Sequence, residues 1–158
     1  MGTKGCTHNR AFSLLELVIV VAIIAILAAI GIPRLSRGTR GAADSALSGN
    51  LALLRNSIDI YAAEHLNVYP TAANANTQLT QYTNDAGGVS ATKEPTHIYG
   101  PYMRSIPPLS VGAKKGGTNI AAADANDVGW IYDEDSGAIH ANTTGSEEDE
   151  AGKLYSDY

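Results

Sequence analysis

From Phe12 to Ile32 the chain carries 21 residues, of which only Glu16 is charged. About 20 apolar residues span the hydrocarbon core of a bilayer as a helix, so this run is long enough to cross a membrane. A secretory signal has a shorter apolar core, about 7–15 residues, followed by a small-residue cleavage site. No such site precedes Pro33. A lone carboxylate in such a span costs roughly 2.5–3.5 kcal/mol at mid-bilayer on insertion scales. Glu16 therefore needs a partner, and that need separates an assembly element from a plain anchor.

The residues after Pro33 are sufficient for one modest core. The formal net charge of −5 argues against nucleic acid as a partner, because phosphate binding relies on clustered Lys and Arg. Lys4 and Arg10 favour a cytoplasmic N-terminus by the positive-inside bias. Arg34, Arg37 and Arg40 on the far side of the run weigh the other way.

Beyond the apolar run the pattern predicts a continued helix from Ser36 to His65. Leu47, Leu51, Leu54, Ile58 and Tyr61 recur at three- and four-residue steps, with Arg55, Asp59 and Glu64 between them. A helix over 12–65 has 54 residues and would be about 80 Å long. Gly31-Ile-Pro33 is expected to interrupt it, since proline lacks a backbone donor and clashes with the preceding turn. Asn67-Val-Tyr-Pro70 is expected to end it. Residues 71–97 read as a loop with room for one short helix, and 99–108 as a turn-rich linker. Lys114-Lys-Gly-Gly117 reads as an exposed turn. Val128–Tyr132 and Ala138–Asn142 flank a Gly-containing five-residue connection and read as a β-hairpin. Two-residue alternation puts Trp130 and Tyr132 on one face, packed on the helix.

The N-terminus carries a family resemblance. Lys4 and Arg10 in a short leader, Ala11, then Phe12-Ser-Leu-Leu-Glu16 and an aliphatic run to Pro33 resemble a type IV prepilin. The resemblance implies cutting between Ala11 and Phe12 by a membrane prepilin peptidase, with N-methylation of Phe12. That family usually has Gly before the cut, where this chain has Ala11. It implies that Glu16 pairs with the freed amine of Phe12 on a neighbouring copy. It also implies that the segment around Pro33 stretches on assembly, against the plainer reading of a membrane-exit kink. Loss of a leader 1–11 would remove Lys4, Arg10 and the single Cys6, leaving nine basic against sixteen acidic residues, a net −7. No disulfide or cysteine nucleophile would then be available.

A second block narrows the likeness. Tyr69-Pro70, Gly100-Pro-Tyr-Met-Arg-Ser-Ile-Pro107 and Gly129-Trp-Ile-Tyr-Asp-Glu-Asp-Ser-Gly137, with Ile139 and Asn142, resemble the major pseudopilin of type II secretion. The fold this implies is α+β: a long N-terminal transmembrane and stalk helix packed on a small C-terminal head with a short antiparallel sheet. The expected organisation is a leader 1–11, a transmembrane and filament-core helix 12–33, an amphipathic stalk 34–66, and a head 67–158 with an acidic tail. The implied partners are further copies in a helical filament, minor pseudopilins, prepilin peptidase, and an inner-membrane assembly platform with a cytoplasmic ATPase. The implied location is a single pass through the inner membrane before assembly, with a cytoplasmic leader and a periplasmic head and pseudopilus.

Acidic clusters at 124–127, 133–135 and 147–150 admit two readings. Calcium takes six to eight oxygens from carboxylates and carbonyls, often on loops. Major pseudopilins carry a calcium site in this region, so the resemblance implies ligands among Asp124, Asp127, Glu147 and Asp149. The other reading is a solvated acidic surface and a frayed tail. No segment fits a helical calcium loop, a phosphate loop, a metalloprotease helix or a nucleophile elbow, so no enzyme is expected. His8, His65, His97 and His140 are scattered without ligand spacing. The function implied is a pseudopilus subunit that drives protein export across the outer membrane. The alternatives are a type IV pilin for adhesion, motility or DNA uptake, and a membrane-anchored periplasmic enzyme or binding protein with a coincidental leader.

Overall fold

The computed structural model describes residues 13–158, without the side chains of 31–37. The leader and the Ala11–Phe12 pair lie outside the described residues, as does the side chain of Pro33. Helix α1 spans Leu14–Glu64 and its backbone stays helical through Gly31-Ile-Pro33, where the sequence predicts a break. A proline removes one helical hydrogen bond, and flanking residues with good propensity carry the helix past it. The chain divides into two compact units, one ending at Thr39 and the other running from Arg40 to Tyr158.

In the first unit the side chains from Leu14 to Ile30 are apolar apart from Glu16, and nearly all are exposed. Apolar residues occupy every face, the pattern of a helix meant for lipid or for a protein core. This fully described stretch has seventeen residues and is about 26 Å long, against about 30 Å for a bilayer core. Among the described residues no helix is long and apolar enough to cross a membrane. The expected span 12–33 extends beyond the fully described stretch 14–30 at both ends.

In the second unit α1 behaves differently. Leu47, Leu51, Leu54, Ile58 and Tyr61 are buried in one stripe, as the spacing predicts. Full burial of such a side chain is worth about 1.5–3 kcal/mol. The helix closes with Asn67 N–H donating to Ala62 O at 2.8 Å, while Leu66 and Asn67 take left-handed backbone angles. At this end the His65 ring stacks on Tyr61 at 3.8 Å between centroids. Its Nδ1 and Nε2 face the carbonyls of Tyr61 and Asn84 at 2.8 and 3.0 Å.

A short helix α2, Ala75–Thr80, follows and buries Ala75, Gln78 and Leu79. Strands β1, Tyr82–Thr83, and β2, Val89–Ser90, form a small antiparallel pair. Three further strands, β3 at Asn119–Ala121, β4 at Val128–Tyr132 and β5 at Ile139–Ala141, make one sheet in the order β3-β4-β5. The β4–β5 hairpin is antiparallel, pairing Trp130 with Ala141 and Tyr132 with Ile139. Trp130 and Tyr132 are buried with the α1 stripe in one core.

The sheet departs from the all-antiparallel expectation, because β3 runs parallel to β4. Three residues of strand rise only about 10 Å, so the short return 122–127 suffices where longer parallel strands need a crossover helix. The Asn76 amide on α2 holds the other edge of β3, accepting from Ile120 N–H at 3.0 Å and donating to Ile120 O at 3.2 Å. Where the 109–117 loop crosses β4, a Cβ on Gly129 would sit 2.1 Å from Gly117 O, so only glycine fits. At Gly137 in the hairpin loop φ is +71°, and a Cβ would meet the Tyr69 ring at 2.6 Å.

Candidate functional site

Glu16 lies in the first turn of α1, where the helix dipole favours a carboxylate. It is exposed and makes no ion pair or hydrogen bond among the described residues. Leu14, Leu15, Leu17 and Val18 around it are exposed at 80, 67, 59 and 49 %. The Glu16 carboxylate thus stands among uncovered aliphatic side chains. Pro33 shares this helix, at the backbone level described above.

The four carboxylates expected at a calcium site are not gathered. Asp124 accepts from Lys114 Nζ at 2.9 Å and from Asn142 Nδ2 at 2.8 Å. The Lys114 ammonium first, then the Asn142 amide, holds its carboxyl below the usual carboxylate range. Asn142 also donates to Val128 O at 2.7 Å and is buried, which ties it into the sheet. Asp127 stands exposed at φ +61°, next to β4.

Glu147 works as a staple. One of its oxygens accepts from Ala113 N–H at 2.6 Å and the other from Thr144 N–H at 2.8 Å, joining the 109–117 loop to the tail. Asp149 accepts from Ala151 N–H at 2.7 Å and Lys153 N–H at 2.9 Å, and also from the Tyr158 hydroxyl. The Tyr158 hydroxyl is the leading cause of its lowered pKa. Among the described residues no group of three or more His, Cys, Asp or Glu is arranged to hold a metal ion. One oxygen of Asp124 and both oxygens of Glu147 and Asp149 accept ammonium, amide or hydroxyl donors, while Asp127 has no side-chain partner among the described residues.

How the tail is held carries only a faint mark in the residue pattern. Tyr155 and Tyr158 form a strap with a 3-10 turn at Tyr155–Asp157. Tyr155 donates to Asp44 Oδ1 at 2.8 Å, Arg55 donates to the backbone oxygen of Tyr158, and Lys153 lies 3.9 Å above the Tyr158 ring centroid. Tyrosines set three apart in an acidic tail were the available signal. A second feature is a groove of about 410 Å³ beside α2 and β3, into which Arg104 opens. Arg104 is the only cation of the 99–108 linker, which was its trace in the sequence.

No curated protein and no solved structure matches the chain. Residues 6–32 match the family model of the prokaryotic N-terminal methylation motif. The match covers 27 of the 158 residues, and over that stretch the chain is similar to type IV pilin-like N-termini.

Proposed function

We propose that this chain is a structural subunit of a type II secretion pseudopilus, built as a major pseudopilin. The carrying observation is Glu16, the sole charge on an apolar helix, with no partner among the described residues. Prepilin peptidase cuts between Ala11 and Phe12, and the freed, methylated amine of Phe12 pairs with Glu16 of a neighbouring copy. Two opposite charges meeting in an apolar core recover part of each other's desolvation cost and fix axial register. Before assembly, residues 12–33 span the inner membrane with the head in the periplasm. Afterwards the same helices bundle as the filament core, with Pro33 in the segment that adjusts as subunits pack. The energy comes from a cytoplasmic ATPase on the assembly platform, since no nucleotide motif is present in this sequence. The chain acts as a polymer unit rather than as an enzyme.

Glu16→Ala tests the reading. The expected variant is inserted in the membrane and cut after Ala11 but absent from filaments. Normal filaments from Glu16→Ala would overturn it, as would an uncut N-terminus on the membrane-purified protein.

A further inference from the structure

The groove beside α2 and β3 is lined by Asn76, Thr80, Arg104, Ser105, Thr118 and Asn119 among others, and no carboxylate lines it. Arg104 is exposed and makes no ion pair or hydrogen bond among the described residues. The side chains of Ser105, Thr118 and Asn119 are exposed and equally without internal partners. A guanidinium among free hydroxyl and amide groups is a receptor for carboxylate, which an arginine fork grips with two parallel hydrogen bonds.

The chain supplies such carboxylates elsewhere. Glu147 and Asp149 are consumed in holding the tail, but the alternate residues Glu148 and Glu150 are exposed and make no side-chain bonds among the described residues. Their segment is ordered by the Glu148–Leu154 bridge and by Tyr155 N–H donating to Glu147 O at 3.0 Å. The groove borders β3 and the strap turn packs on β5, and these are the two edges of the β3-β4-β5 sheet. Receptor and ligand are therefore two different patches of one head.

We infer that the Arg104 groove receives Glu148 and Glu150 of a second copy of this chain. A contact between two different patches of the same molecule is heterologous, so it continues from copy to copy, as a ring or an open array, instead of closing as a twofold dimer. Copies that have lost residues 1–11 carry nine basic against sixteen acidic residues, a net −7, and repel one another, so a local cation facing local anions fixes which faces meet. The inference rests on the filament reading and names the head-to-head partner that reading requires.

The test uses the full chain expressed with its own assembly machinery. Arg104→Glu, and Glu148→Arg with Glu150→Arg, should each lower filament yield by about tenfold or more, and all three together should restore it. Filament yield from Arg104→Glu equal to the parent's overturns the contact, as does failure of the triple variant to recover. In a second arm, Arg104→Cys and Glu148→Cys chains are co-expressed under oxidising conditions. Intermolecular disulfides between the two variants support the contact, and normal filaments without them overturn it. If the unaltered chain forms no filaments, the filament reading falls and this contact with it. If it forms filaments but the swap fails, only the contact falls.

Discussion

The hydroxyl of Tyr155 donates to Asp44 Oδ1 at 2.8 Å, joining residues 111 positions apart in the sequence. Asp44 lies on α1 close to where the second unit begins, so the tail is tied back to the first turns of that unit's helix. Ser110 reinforces the same place, donating to Ala43 O at 2.7 Å.

Tyr155→Phe keeps the ring and removes only this bond. A hydrogen bond of this kind at a partly exposed site is worth about 1 kcal/mol. Chemical denaturation of the detergent-solubilised protein should show a loss of that order. Amide exchange should rise first in the tail and around Asp44, with the β4–β5 hairpin unaffected.

The strap should also respond to pH at both ends. Burial first, then Asp44, pushes the Tyr155 hydroxyl up to about 12 from an ordinary value of 10.0. The bond to Asp149 first, then burial, pushes Tyr158 up to about 12. A raised phenol contributes stability that is complete below the unfolded value and is lost as pH rises through the folded one. Asp149 has the opposite sign: its lowered carboxyl contributes above the ordinary carboxylate range and loses that contribution as pH falls through its folded value. Denaturation midpoints should therefore fall between about pH 10 and pH 12, and less so for the Tyr155→Phe, Tyr158→Phe double variant.

Trp130 is the only tryptophan of the chain and is fully buried, with its Nε1 donating to Pro107 O at 2.8 Å. Its fluorescence reports on the head alone. Trp130→Ala should cost about 3–5 kcal/mol by opening a large cavity, a substantial share of a small domain's stability. Trp130→Phe should cost less, and the difference between the two measures packing against the lost hydrogen bond.

Calcium should leave the head unchanged. Asp124 is engaged by Lys114 and Asn142, while Glu147 and Asp149 are turned onto backbone amides. The expected result is one melting temperature in excess calcium and in chelator. A clear rise with calcium would mean that these carboxylates exchange their protein donors for the ion.

Periodicity made much of the second unit legible. The stripe Leu47, Leu51, Leu54, Ile58 and Tyr61 is a local pattern, and a helix with one apolar face has one way to bury it. The β4–β5 hairpin was readable for the same reason, from β-formers around a glycine-containing loop. Strand β3 was not readable, because it is three residues long and is held by Asn76 from a distant helix. The strap escaped notice because Tyr155 and Asp44 meet only after the chain has folded. At the candidate site, Glu16 stood out as a single charge in an apolar run. The roles of Glu147 and Asp149 did not, since an acidic cluster looks alike whether it holds an ion or its own backbone. Arg104 gave only the faint signal of an isolated cation.

The oily sleeve of residues 14–30 has a kinetic consequence. A copy released into water would wet aliphatic surface on every side of that helix, at about 25 cal/mol for each Å². Any passage of this stretch through water is therefore slow compared with passage between two apolar surroundings.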